Sequence, residues 1–282
     1  MDVLFAGLGS MGIGMATSLL RAGHTVHGVD TDSARRDMLR AEGGTQDMQQ
    51  ADALVSAVLN AAQTRMVLFG PDGLADRLRP GAVILSCATV APDFAREMEA
   101  EAHARGLRYL DAPISGGAAK AAEGRLSIMA SGRPDAFEAA APVLEAMAET
   151  VHDLGDTAGA GSAMKAVNQL LAGVHIAAMG EAMGFAASQG LDLRQVVRVI
   201  AASAGQSFMF DNRAPHVVEA DYAPRSKVDI WLKDLGIVTE IATASGLPLP
   251  VMQEALTQFR ETSKAGLGDE DDAAIAKHVA HR

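Results

Sequence analysis

DVLFAGLGSMGIGMATSLLRAGHTVHGVD, residues 2–30, decides the fold. VLFAG is a short apolar run of strand type. Gly7-Leu8-Gly9-Ser10-Met11-Gly12 follows at once and matches G-x-G-x-x-G. IGMATSLLRAG then carries a helical pattern that Gly23 stops, and TVHGVD is a second strand ending in Asp30. Each glycine has a separate reason. Gly7 permits a tight turn, Gly9 lets backbone approach a pyrophosphate, and Gly12 allows close packing of helix on strand. The helix start presents unpaired N–H groups and the positive end of its dipole to phosphate. Asp30, 18 residues beyond Gly12, stands where a carboxylate accepts hydrogen bonds from a ribose diol. Strand, motif, helix, strand and acid in this order predict a dinucleotide cradle with Gly7, Leu8, Gly9, Ser10, Met11, Gly12 and Asp30 at the cofactor. A carboxylate at position 30 repels a 2′-phosphate, which favours NAD over NADP, while Arg35 and Arg36 keep a phosphate partner close in sequence.

The alternation continues outward. ALVSAVLN (53–60) and AVILSCAT (82–89) read as buried parallel strands. RMVLFG (65–70) reads as a strand or as part of the connection between them. LRYLDAPISGG (107–117) supplies another strand end, and RLSIMASG (125–132) and ETVHDLG (149–155) are expected to continue the same sheet. Strand ends on one edge of a parallel sheet line the cofactor crevice, which makes Leu59, Asn60 and Thr89 candidate contacts; a strand-end cap is the alternative for Thr89. From about residue 160 no strand pattern remains. Helical periods cover 161–189, 192–203, 206–220 and 226–245. The expected architecture is therefore α/β: a doubly wound Rossmann domain over 1–160 and an all-helical domain over 161–282, joined through a long helix after a glycine-bearing joint at 155–161.

Composition sets bounds on function. The 282 residues are 49% hydrophobic and 21% charged, enough for a buried core. The formal net charge of −11 argues against nucleic acid, whose binding requires a basic patch, and against an anionic membrane surface. Cys87 is the single cysteine, so no intrachain disulfide forms and a reducing cytoplasm suits the chain. Asp2 and a short strand follow Met1, which is not the pattern of a signal peptide. No apolar stretch is expected to span a membrane, and the dispersed His and Cys show no zinc spacing.

Three further blocks, DAPISGG (111–117), GAGSAMKAVNQ (159–169) and KDLGIV (233–238), stand in order behind GLGSMGIGMA. Together the four resemble the β-hydroxyacid dehydrogenase family, which includes 3-hydroxyisobutyrate and tartronate semialdehyde dehydrogenases. The segment 205–238, GQSFMFDNRAPHVVEADYAPRSKVDIWLKDLGIV, is similar to the branch acting on L-threonate. The resemblance implies NAD-dependent oxidation of a hydroxyacid, here L-threonate at C2, with 3-hydroxyisobutyrate or the tartronate semialdehyde/glycerate pair as the alternative. It implies that Lys165 is the catalytic acid/base, that Ser115, Gly116 and Gly117 hold the substrate carboxylate, and that Lys233 approaches both nicotinamide and substrate.

The residue types suit those roles. A free lysine side chain titrates near ~10.4; burial and a nicotinamide cation push it down, whereas a bound carboxylate pushes it back up. Gly161, Ser162 and Ala163 are expected to leave room for substrate beside it. Asn168 follows Lys165 by three residues and shares its helix face, so it can orient the lysine or hold substrate; Gln169 is the other candidate. Two glycines after Ser115 expose successive N–H groups suited to a carboxylate. Asn212 provides a polar partner for distal hydroxyls. Asp234 reads as a partner for a neighbouring cation, and the acidic GDEDDAAIAK (268–277) as a charged cap on a last helix. The small, apolar faces of the long helix suggest a homodimer or homotetramer.

Overall fold

The computed structural model describes residues 1–45, 47 and 50–280. The chain begins as β1 (Asp2–Ala6), α1 (Gly12–Arg21), β2 (Thr25–Val29), α2 (Ser33–Ala41), β3 (Ala51–Ser56), α3 (Ala61–Phe69), β4 (Leu78–Ser86), α4 (Pro92–Ala104) and β5 (Arg108–Asp111). The five strands are parallel, in the order β2-β1-β3-β4-β5. Their continuous apolar runs are explained by burial on both faces. Along β1, Val3 and Phe5 enter one core with Met15, Leu19 and Val143, while Leu4 and Ala6 enter another with Leu68, Met98 and Tyr109. The chain crosses from β2 over β1 to β3, so the helices after β1 and β3 lie on opposite faces of the sheet and mark a topological switch point.

The next elements depart from the expectation of one continuing sheet. β6 (Ile114–Ser115), α5 (Gly117–Glu123), β7 (Leu126–Ala130), α6 (Pro134–Met147) and β8 (Ala148–Asp153) follow, and β6-β7-β8 is a separate three-stranded sheet. The chain runs on from β5 through Pro113 into β6 and reverses through α5, so β6 pairs antiparallel with β7, and the same register reaches back to a bridge between Asp111 and Ser131 that links β5 to this second layer. Residues 65–70 lie in α3 and its end, because Asn60 caps that helix by accepting the Gln63 N–H at 2.9 Å. The run at 53–60 stops as a strand at Ser56, leaving 57–60 as a loop on the crevice edge.

α7 (Ala160–Ser188) is followed by α8 (Leu193–Ala201), α9 (Phe208–Glu219), α10 (Val228–Ala244), α11 (Pro250–Thr262) and α12 (Ile275–Ala280). Asp192 and Ser207 cap α8 and α9 through their side chains, and Pro250 opens α11. The chain divides into two compact units, the first Met1–Lys165 and the second beginning at Ala166. The core of the second unit gathers Ile176, Met179, Phe210, Trp231, Leu235, Leu256 and Phe259, with Trp231 stacked on Phe259 at 5.5 Å. Gly173 admits this packing, since a Cβ there would meet Leu235 at 3.0 Å and Trp231 at 3.1 Å. Contrary to the expectation from the sequence, α7 is long and apolar enough to cross a bilayer by length and composition. Its alanines, methionines and aliphatic residues raise the hydropathy, and part of that apolar surface is used in this helical core.

The acidic segment near the C-terminus keeps its expected cap, the Asp271 side chain accepting the Ala273 N–H at 3.2 Å ahead of α12, but two of its acids lie inside the second unit. Asp271 and Asp272 are fully buried. Asp272 receives Arg213 Nε at 2.5 Å and Trp231 Nε1 at 2.9 Å, and Asp271 pairs with His216 Nδ1 at 2.9 Å. Burial pushes the Asp271 carboxyl up. The His216 ring, the Arg225 and Ala273 N–H groups and the Arg213 charge outweigh it, so the group titrates below its ordinary value. Tertiary partners on α9 and α10 make these two acids an internal anchor as well.

Candidate active site

The loop after β1 is shaped by backbone crowding. Gly7 has φ +91°, and a Cβ on it would meet the Ala57 carbonyl oxygen at 2.6 Å; one on Gly12 would lie 1.8 Å from the Gly7 oxygen. The loops after β1 and β3 thus touch at the switch point. Gly9 differs: a Cβ there would find only Arg35 Nη1, at 3.5 Å, which leaves its backbone approachable. α1 starts at Gly12 with no side-chain cap on its N-terminus, as an anion-receiving helix end requires. Asp30 ends β2 and accepts the Leu8 N–H at 2.7 Å and the Asp32 N–H at 2.9 Å. Leu8 therefore ties the loop to the acid through its N–H, while its side chain is in the core. Ser10 is exposed, Met11 half-buried and Gly12 buried.

These features fit a dinucleotide: an open glycine backbone, an uncapped helix start, and a carboxylate held with lone pairs to spare for a ribose. Arg35 lies over Gly9, and Arg36 donates to the Asp30 carbonyl, so both arginines are at this loop. On the same edge, Leu59 is exposed, Asn60 spends its side-chain oxygen on the α3 cap, and Thr89 is half-buried beyond β4.

Lys165 sits in the second turn of α7 and is only 7% exposed. Its Nζ donates to the Ile114 carbonyl at 2.8 Å. Ile114 immediately precedes Ser115, Gly116 and Gly117, so the lysine head and this candidate carboxylate cradle are adjacent in the first unit. Gly116 has φ +138° and Gly117 +80°, and a Cβ on Gly117 would meet nothing within 4 Å; the cradle is open on that side. Contrary to the expectation from the sequence, Gly161 and Ser162 do not make room for substrate. A Cβ on Gly161 would strike the Met129 oxygen at 2.4 Å and the Asp111 oxygen at 2.7 Å. Ser162 is buried and donates its hydroxyl to Asp111 Oδ1 at 2.7 Å. Both serve the docking of the helix on the strands. Asp111 is itself buried, and desolvation pushes its carboxyl above the ordinary range against the pull of the Ser162, Gly159 and Ser131 donors.

In the second unit, Asn168 Nδ2 donates to Gln169 Oε1 at 2.9 Å, and Gln169 Nε2 donates to Asp234 Oδ2 at 2.5 Å. Lys233 Nζ pairs with Asp234 Oδ1 at 2.7 Å. Asp234, buried on α10, thus joins Asn168 and Lys233 in one polar chain. Asn212 is exposed on α9 and accepts from Arg213. Sequence reasoning assigned nothing to Asp111 and Ser131. A lone acid ending the apolar run YLD was the available signal for the first; nothing in RLSIMASG marked the second.

A glycine-rich loop fit for a dinucleotide on a doubly wound sheet, with a buried lysine beside the Ser115–Gly117 turn, is the arrangement of an NAD-binding dehydrogenase. Comparison with known proteins agrees. Residues 2–155 match the NAD binding domain of 6-phosphogluconate dehydrogenase, and 159–279 match the NAD-binding region of NADP-dependent 3-hydroxyisobutyrate dehydrogenase. The chain is 47% identical over 278 residues to the L-threonate dehydrogenase of Escherichia coli K12, covering 96% of this chain and 92% of that one. It is 44% identical over 283 residues to that of Haemophilus influenzae, covering 98% and 94%. A crystal structure described as 3-hydroxyisobutyrate dehydrogenase from Salmonella typhimurium superposes with a TM-score of 0.94 at 47% identity, over 99% of each chain. The chain belongs to the 3-hydroxyisobutyrate dehydrogenase-like family and is an NAD-dependent hydroxyacid dehydrogenase.

Proposed function

We propose that the enzyme oxidises L-threonate at C2, giving 2-oxo-tetronate, and that Lys165 is the general acid/base. The observation that carries the mechanism is the Lys165 amine, buried and 2.8 Å from the Ile114 carbonyl at the entrance to the Ser115–Gly117 nest. When bound, NAD accepts the C2 hydride and leaves as NADH. The chain's own residues do the rest. Ser115, Gly116 and Gly117 hold the carboxylate through a hydroxyl and successive N–H groups. Lys165 takes the C2 hydroxyl proton as the hydride departs and returns it to the carbonyl oxygen in reduction. Asn168 and Lys233, joined through Gln169 and Asp234, contact substrate, with Lys233 also at the nicotinamide; Asn212 receives the distal hydroxyls. Gly7–Gly12 cradles the pyrophosphate, Asp30 the adenosine ribose, and Leu59, Asn60 and Thr89 border the crevice.

The L-threonate reading rests on relatives of that name at 44–47% identity over nearly the whole chain. The Salmonella structure, at 47%, supports 3-hydroxyisobutyrate as the second reading. NADH formation across L-threonate, D-threonate, D-erythronate, 3-hydroxyisobutyrate and D-glycerate separates them. L-threonate is expected to give the highest kcat/KM; a tenfold preference for 3-hydroxyisobutyrate reverses the order. Val167, Leu171 and Phe185 on α7 are exposed, and a homodimer or homotetramer covers them; light scattering on a sizing column tests this, and a monomer at micromolar concentration excludes it. The buried Cys87, its thiol pushed up to about 12 by burial and by the Asp111 charge, suits a reducing cytoplasm.

A further inference from the structure

α7 starts on a carboxylate supplied by another element. Asp111, the last residue of β5, is 1% exposed. Its Oδ2 accepts the Gly159 N–H at 2.9 Å and the Ser162 N–H at 2.8 Å, and its Oδ1 accepts the Ser162 hydroxyl at 2.7 Å. Ser131, bridged to Asp111 through both backbone hydrogen bonds, accepts the Gly161 N–H on its hydroxyl at 2.9 Å and reaches Asp111 Oδ2 at 3.5 Å. The N–H groups of residues 159, 161 and 162 are thus held by two adjacent strands. Three residues beyond Asp111, Ile114 accepts the Lys165 amine. The segment 111–117 grips α7 twice, at its first turn and at the head of its lysine, and then forms the carboxylate nest.

An ordinary cap does not require this arrangement. A surface Ser or Asp at the N-cap satisfies one helix N–H at little desolvation cost. Burying a carboxylate carries a desolvation cost that a cap alone does not explain. What the buried acid adds is geometry: its two oxygens engage three donors on residues 159 and 162, which pins the start of the helix to the end of β5. We propose that Asp111 is a positioning residue of the reaction, setting α7 so that the Lys165 amine stands at the Ile114 carbonyl beside the Ser115–Gly117 nest. This rests on the reading of Lys165 as the acid/base. The constraint is tight, because a misplacement of about 1 Å in a reacting group costs on the order of 100-fold in rate.

The test uses full-length Asp111→Asn and Ser162→Ala, with Lys165→Ala alongside, on the best substrate of the hydroxyacid panel in its C2-protiated and C2-deuterated forms. Asn keeps the shape but presents an amide donor to donors. Asp111→Asn is expected to lower kcat about 100-fold and Ser162→Ala about tenfold, with the deuterium isotope effect on kcat raised and the NADH Kd within about twofold of wild type. A residue serving stability alone would lower Tm and leave kcat and the isotope effect in place. Should both variants keep kcat within about threefold of wild type while Lys165→Ala is inactive, the positioning role is overturned and the lysine assignment stands. Near-normal turnover of Lys165→Ala overturns both. If Asp111→Asn does not fold, Ser162→Ala, which leaves the carboxylate in place, decides the question by the same readouts.

Discussion

Gly161→Ala puts a single methyl group where α7 meets the sheet. A Cβ at this position would lie 2.4 Å from the Met129 carbonyl oxygen and 2.7 Å from that of Asp111. Both obstacles are backbone in strand or bridge pairing, so no rotamer change relieves them. Restoring ordinary contact, 3.4 Å or more, moves the start of the helix outward by about 1 Å. Lys165 lies four residues, roughly 6 Å, further along the helix. The same shift lengthens its 2.8 Å bond to Ile114 beyond hydrogen-bonding range. Overpacking of this kind costs about 1–3 kcal/mol of stability, and a reacting group displaced by about 1 Å loses on the order of 100-fold in rate. The cofactor loop makes its close contacts elsewhere, to Ala57 and Phe5. The expected result is therefore kcat lowered about 100-fold, Tm lowered by several degrees, and NADH affinity within about twofold of wild type. Steady-state kinetics, a melting curve and a fluorescence titration with NADH measure the three. A kcat within about threefold of wild type would show that the placement of the helix start does not govern the chemistry.

Three further outcomes follow from separate parts of the site. Asp30→Ala removes the carboxylate that holds the Leu8 N–H and is proposed to hold the ribose; NADH should bind about tenfold or more weakly, with NADPH much less affected, and equal losses for both in fluorescence titrations would reassign cofactor choice to Arg35 and Arg36. Asp234→Asn breaks the chain from Asn168 through Gln169 to Lys233; it should lower stability by about 2–3 kcal/mol, since a largely buried ion pair loses one partner, and should raise the substrate KM, while a variant with both unchanged would make the chain incidental. Asp271 titrates below its ordinary 3.8 in the folded protein, so its contribution is present above that value and disappears as the pH falls through the folded value. Asp271→Asn should lower Tm at neutral pH and flatten its fall between about pH 5 and about pH 3; a slope equal to wild type would contradict the sign.

The cofactor half was legible because its chemistry is carried by backbone. A turn, a close approach and a helix start each demand glycine at fixed spacing, and the apolar alternation places strands directly. What the sequence did not show was set by tertiary pairing. RLSIMASG has the same apolar character whether its strand extends the first sheet or joins a second; the turn through α5, which lays it antiparallel to 114–115, decides, and no spacing encodes it. GDEDDAAIAK reads as a charged helix cap, and only Arg213, His216 and Trp231, some 40–60 residues away, account for the burial of Asp271 and Asp272. Lys165 stood out as a cation in an apolar helix. Asp111 was equally conspicuous at the end of YLD, yet its partners Gly159 and Ser162 lie about 50 residues further on, and a carboxylate shows no purpose until they are found.

The central claim is that one buried amine exchanges the substrate proton. Lys165→Ala, with its fold checked by circular dichroism and its NADH affinity by titration, tests it in a single measurement of kcat for the preferred hydroxyacid. The account predicts turnover lowered by at least about 1000-fold with NADH affinity unchanged; turnover within about tenfold of wild type, cofactor still bound, would contradict it.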